Sequence, residues 1–311
     1  MKKFFLIFAV IFTVVVTSTA RAAEFDMIEY SAQIKLQWLK EAGVPEAKKF
    51  LKLLNRPVFF SAQNLNDYER IRLTNALFQE MNLAAGLEYV RYNDYNNIYD
   101  LACSLSPRAM LLGDEGRRVI VGELATVALI GDWFIYDLGG KSKDIVDYET
   151  IPVQDRVAMM QYAHKFKGAV CVIEQGLMIY LNAYDRDSMF DNIRDVLKEH
   201  GGCLITSDFV QQKYFKDVAA ALYGESEAEI IYKETKEMYE KVYGEKLNDD
   251  SLQDEDSAMK YLESHGLHAE KIPLFHEAPK LNVKSQLTPE QIERVNKVAA
   301  KNYLWVITAI Q

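Results

Sequence analysis

The feature that most constrains this chain is a recurring alternation of apolar, β-rich stretches with segments of helical spacing. "NIYDLA" (97–102), "RVIVGEL" (118–124), "GAVCVIEQ" (168–175) and "CLITSDF" (203–209) each read as a buried strand. Between the first two lies "SPRAMLLGDEG", a short helix closed by Gly116. "DRVAMMQYAHKF" offers a helical face before the third, and "RDSMFDNIRDVLKEHGG" an amphipathic helix before the fourth, ended by Gly201 and Gly202. Strands separated by helices of this length build right-handed βαβ units. The expectation is therefore an α/β fold with a Rossmann-like, doubly wound, mostly parallel sheet.

Other segments frame that sheet. "MKKFFLIFAVIFTVVVTSTARAAEF" has a basic start, an apolar run from Phe4 to Val16 and small residues at Ala20, Ala22 and Ala23. This is the layout of a secretory signal peptide over residues 1–23, cut after Ala22 or Ala23, or of a membrane anchor if uncut. It predicts an exported protein, periplasmic or extracellular, with no membrane span in the mature chain. Residues 24–85 read as an N-terminal helical cap: a hairpin from Asp26 to Leu54, with Pro45 near a helix start, then a helix from Tyr68 to Met81 capped by Asp67. Residues 86–311 form the main domain. Within it, about 211–263 is rich in Glu, Lys, Tyr and Asp and reads as a helical insertion with an acidic loop. The chain then returns to a helix and a strand, then to "LTPEQIERVNKVAAKN", where Thr288, Pro289 and Gln291 make a capping-box start, and ends in the strand "YLWVITAI".

Charge and cysteines narrow the function classes. The formal net charge of -9 and the lack of a basic stripe argue against nucleic acid, leaving a small-molecule acceptor or a protein as partner. Cys103, Cys171 and Cys203 lie in or beside strand-like runs and read as small buried residues rather than a disulfide framework. "HGLH" could place His265 and His268 on one helical turn, but no third ligand is nearby and a helix end at Gly266 explains the motif, so no metal site is expected. The chain does not set an oligomeric state.

Ligands of open parallel sheets bind at the carboxyl ends of the strands, where strand order reverses. Glu123, at the tip of the second strand, is placed to accept hydrogen bonds from two ribose hydroxyls, or simply to be solvated. A dehydrogenase-type pyrophosphate turn needs glycines so that backbone amides can approach the phosphates, and "ACSLSPRA" supplies none.

In order along the chain, "DLACSLSPRAMLL", "VIVGEL", "VCVIEQGLMIYL" and "NIRDVLKEHGGCLITSD" resemble the leucine carboxyl methyltransferase-like family, whose bacterial members include O-methyltransferases of polyketide type. The resemblance covers roughly residues 55–210 and implies a Rossmann-like fold with a helical cap that binds S-adenosylmethionine. It implies that Arg70 pairs with the cofactor carboxylate, Arg72 being a competitor, as a guanidinium fork suits. Ala102 and Ser104 would line the methionine end, Glu123 the ribose and Asp155 the adenine edge. Gln175 stands where the family carries the glutamate of E-G-L, and Ser104 where it has glycine in the turn. The implied activity is O-methyl transfer to a small carboxylate or hydroxyl. Ser104, Gln175 and the export signal also suit an exported, non-catalytic binding or scaffold protein of the same fold. The residues do not identify a catalytic base, Tyr180 and His164 being as well explained by packing and by a helix surface.

Overall fold

A computed structural model describes residues 32–54, 65–138, 140–243 and 254–310. The signal-peptide segment lies outside these residues, as does much of the acidic loop.

The chain opens with helix α1, described over residues 32–42, and α2 (Pro45–Leu54). Gly43 turns between them at φ +95°, and Pro45 stands first in α2, where its missing N–H has no intrahelical partner to lose. The long α3 (Leu65–Tyr92) follows. It is buried on most sides from Leu73 to Val90, which explains its weak amphipathic pattern. It begins two residues before Asp67, so that residue lies inside the helix rather than capping it, and it runs unbroken past residue 85. Buried Glu80 ties α3 to the distant C-terminal region by accepting from the Asn282 amide at 2.7 Å and the Val283 amide at 3.0 Å.

The remaining elements are β1 (Asn97–Leu101), α4 (Arg108–Asp114), β2 (Arg118–Glu123), α5 (Ala125–Leu138), β3 (Val146–Thr150), α6 (Arg156–Ala163), β4 (Val170–Glu174), α7 (Ala183–His200), β5 (Gly202–Thr206), α8 (Gln211–Tyr223), α9 (Glu225–Tyr243), α10 (Glu255–Ser264), β6 (Leu267–Pro273), α11 (Pro289–Lys301) and β7 (Tyr303–Ala309). They build one sheet in the order β3-β2-β1-β4-β5-β7-β6. The pairs among β3, β2, β1, β4 and β5 are parallel, and β7 runs antiparallel to both β5 and β6. The α/β Rossmann-like expectation holds. The sequence reading passed over α5 and β3, because β3 is an edge strand, "VDYET", whose half-exposed acidic residues dilute the apolar signal.

Alternation along the strands assigns the two faces. Ile98, Val119, Val121, Cys171, Ile173, Cys203 and Ile205 pack beneath α3, α4, α5, α8 and α11. Tyr99, Ile120, Val172, Leu204 and Trp305 pack against α6, α7 and α10. The three cysteines are free and buried. The capping box at Thr288 forms, with the Thr288 amide donating to Gln291 Oε1 at 2.9 Å.

Candidate functional site at the strand tips

Register decides which residues meet. Leu101 stands opposite Gly122 on β2 and Glu174 on β4, so Ala102, Glu123 and Gln175 emerge side by side at the carboxyl edge where strand order reverses. The turn after β1 is left-handed at two non-glycine residues, Ala102 at φ +51° and Ser104 at φ +61°. The glycine-like geometry thus persists without glycine, at about 1–2 kcal/mol per residue. Anchors hold it: the Ala102 amide donates to Gly122 O at 2.9 Å, and Ser104 Oγ donates to the carbonyl of Ala32 on α1 at 3.1 Å.

Glu123 is buried, and its carboxylate accepts the backbone amide of Ser104. Burial pushes its carboxyl up to about 7, against the lowering effects of that amide and of Lys35. Lys35, on α1, crosses the tips to donate to the Gln175 carbonyl at 3.4 Å. Burial, then the nearby Arg108, lower its pKa, while Cys103, Asp100 and Glu123 oppose them.

Beneath this layer lies a buried ion pair. Arg108, first residue of α4, donates from Nε and Nη2 to the two oxygens of Asp100 on β1, at 2.8 and 2.5 Å. Its Nη1 donates to Gln175 Oε1 at 2.5 Å. Gly86 of α3 lies against this pair: a Cβ there would stand 3.3 Å from both Arg108 Nη1 and Gln175 Oε1. Gln175 Nε2 is buried with no partner among the described residues.

A second buried cluster closes the β4 and β5 tips. Glu174 accepts from Thr206 Oγ1 at 2.7 Å and from the Leu177 amide at 3.0 Å. Asp208 accepts the amides of Gly176, Leu177 and Met178. Burial first, then the charge of Asp208, push the Glu174 carboxyl well above the carboxylate range. Asp208 fixes the turn Gly176–Met178 by accepting its three successive backbone amides.

Of the site residues read from the sequence, Ala102, Ser104, Glu123 and Gln175 converge. Arg70 does not join them: it ion-pairs with Glu227 of α9, about 24 Å along α3 from Gly86 at 1.5 Å per residue. Its competitor Arg72 pairs with Glu69 and Glu41. Asp155 is exposed and caps α6, accepting the Ala158 amide at 3.1 Å. His164 is exposed beside Glu199, and Tyr180 is largely exposed in the short turn Met178–Tyr180. His265 ends α10 while His268 lies in β6, so the two do not share a helical turn. Among the described residues no group of three or more His, Cys, Asp or Glu side chains could hold a metal. The sequence reading missed Lys35, because a lysine in an amphipathic helix signals a solvated face, and it missed the roles of Asp100 and Glu174, which look like ordinary strand residues.

Two solved structures resemble this chain to different degrees. A DUF574 family protein from Streptomyces avermitilis superposes with a TM-score of 0.51 at 12% identity, over 90% of this chain and 97% of that one. An O-methyltransferase family protein from Burkholderia thailandensis gives a TM-score of 0.45 at 12% identity, over 91% and 72%. The first likeness establishes the fold. No protein-family model matches the sequence, and no curated protein does.

Proposed function

We propose that the protein is an S-adenosylmethionine-dependent O-methyltransferase acting on a small carboxylate or hydroxyl acceptor. The observation that carries this reading is Glu123, a buried carboxylate at the β2 tip facing a left-handed turn one strand away. The sequence motifs imply the same cofactor at the same strand ends. When bound, that cofactor supplies a methyl group already activated on a sulfonium, leaving the protein to orient the acceptor and manage its proton. Glu123 suits a ribose diol, its hydrogen bond from the Ser104 amide being exchangeable for ribose hydroxyls. The orphaned Gln175 Nε2 is a donor without a partner among the described residues, as a polar ligand would require. Ala102 and Ser104 border the same space, and Asp155 stands beyond the β3 tip, a longer reach for the adenine edge. Titration calorimetry with S-adenosylmethionine and S-adenosylhomocysteine tests this. Binding that weakens at least tenfold in Glu123→Ala is expected, and no binding at millimolar ligand would overturn it.

A specific observation favours a second reading, an exported non-catalytic protein of this fold. Helix α1, which lies over the strand tips as a lid, already engages them through Ser104 with Ala32 and Lys35 with Gln175. Methylated product above background from a panel of acids and alcohols would remove it. Export itself is tested by sequencing the mature N-terminus, expected after Ala22 or Ala23.

A further inference from the structure

We infer that Arg186 is the anchor for a carboxylate on the acceptor, so that the acceptor is a small organic acid whose methylated group is a separate hydroxyl. The inference deepens the proposed function and rests on it only for the word acceptor. Arg186 lies in the first turns of α7 and is 8% exposed. Its Nε and Nη1 have no hydrogen-bond partner among the described residues. Guanidinium N–H groups are seldom left orphaned when buried, because the lost hydration is not returned. The nearby carboxylates are committed elsewhere. Asp187 accepts from the Tyr261 hydroxyl at 2.6 Å and faces His265, Asp191 accepts from Arg194 at 2.6 Å and faces His265 at 3.1 Å, and Asp185 meets the Asn182 amide group at 2.7 Å. The guanidinium instead rests over the ring of Tyr261, 5.4 Å from its centroid. One helical turn on, Phe190 packs against both Tyr261 and Phe209. A cation on an aromatic floor is a receptor for an organic anion.

Its place in the fold suits a second substrate. The amino end of α7 follows β4 at the carboxyl edge of the sheet, and helical side chains tilt toward the helix N-terminus, so Arg186 leans toward the tips. Glu123 and the left-handed turn occupy β1 and β2. The cluster of Glu174, Thr206 and Asp208 fills the β4 and β5 tips themselves, so the acceptor would bind beside it, at the amino end of α7. A carboxylate gripped by a guanidinium has its lone pairs engaged and is a poor nucleophile, so a hydroxyl on the same molecule is the group left to be methylated.

The test uses the mature protein with acetate, benzoate and 4-hydroxybenzoate, each against its amide, followed by NMR titration and by thermal shift. Expected are carboxylate binding at least tenfold tighter than the matching amide, a rise in melting temperature with benzoate, and loss of both in Arg186→Met, with partial retention in Arg186→Lys. Unliganded melting temperatures of the variants check folding; a purely structural arginine would lower them and leave carboxylate binding unselective. Failure of every carboxylate to bind the wild type, or binding unchanged in Arg186→Met, overturns the inference. S-adenosylhomocysteine titrated separately distinguishes this from failure of the methyltransferase reading: cofactor binding without carboxylate binding sinks the anchor alone, and the converse sinks the cofactor alone.

Discussion

Removing one member of the Asp100–Arg108 pair should damage the protein far more than removing both. Asp100 is fully buried and Arg108 nearly so, and each oxygen of the carboxylate receives one guanidinium N–H. Arg108→Met would leave an uncompensated carboxylate in the core, and Asp100→Leu an uncompensated guanidinium. Such a break costs about 3–5 kcal/mol, whereas apolar replacement of a whole buried pair is often neutral. Gln175 adds a correction: losing Arg108 also deprives its Oε1 of a donor, worth about 1–3 kcal/mol if nothing replaces it. The double variant Asp100→Leu with Arg108→Met should therefore lose about 1–3 kcal/mol, less than either single change. Urea unfolding followed by circular dichroism reads this directly. With a slope of about 3 kcal/mol per molar, Asp100→Leu moves the midpoint down by roughly 1–1.7 M and Arg108→Met by more. Singles within about 1 kcal/mol of the wild type, or a double equal to the sum of the singles, would refute the reasoning that isolated charge is what the core cannot tolerate.

Other consequences are open to measurement. Because burial raises Glu123 to about 7, the folded state holds a proton there that the unfolded chain, near the ordinary glutamate value, has released. Its contribution to stability therefore falls as pH rises from about 4.5 to about 7 and is level above that; Glu123→Gln should flatten this part of a urea-midpoint profile, and an unchanged slope would reject the assignment. Gly131→Ala should lower stability by about 1–3 kcal/mol despite alanine's better helix propensity, since a Cβ there runs into the Tyr148 ring; a melting temperature at or above that of the wild type would contradict it. Cys103, Cys171 and Cys203 should resist iodoacetamide in the native protein and all react in urea, which intact-mass measurement resolves; native labelling of any of them would show that the core opens locally. Ser104→Gly should loosen α1, seen as faster amide exchange over residues 32–42 with little change in global stability, and unaltered exchange would show that the Ala32 contact does not hold the lid.

How much of this was legible beforehand follows from the physics of each signal. Strands buried on both faces, such as β1, β2, β4 and β5, declare themselves as apolar runs, and the caps at Thr288 and Gly201 declare helix ends through local geometry. Edge strand β3 does neither, and α5, apolar over most of its circumference, gives no clean 3.6-residue period. At the site, the position of Glu123 at the tip of β2 was readable from the strand pattern. Arg70 pairs with Glu227, a partner that a motif, carrying residue type alone, does not reveal. Lys35 and Arg186 were opaque for a related reason. The sequence shows a charged residue on an amphipathic helix, but which charged residues turn inward depends on elements far along the chain, for Lys35 the β4 tip and for Arg186 α10.

The departures at Ser104 and Gln175 take on a common logic at the tips. A serine held left-handed loses about 1–2 kcal/mol, and one side-chain hydrogen bond returns about 0.5–1.5 kcal/mol, so the Ala32 contact offsets much of the strain only while α1 lies down. Gln175, neutral, accepts from Arg108 through its side chain and from Lys35 through its carbonyl without adding a third acid to Asp100 and Glu123. A glutamate there would draw Lys35 inward and strengthen the same closure. Both residues therefore tune how tightly the lid engages the strand ends rather than which group Glu123 faces. Any ligand of the tips must compete with the lid contacts through Ser104 and Lys35 before it can reach that carboxylate.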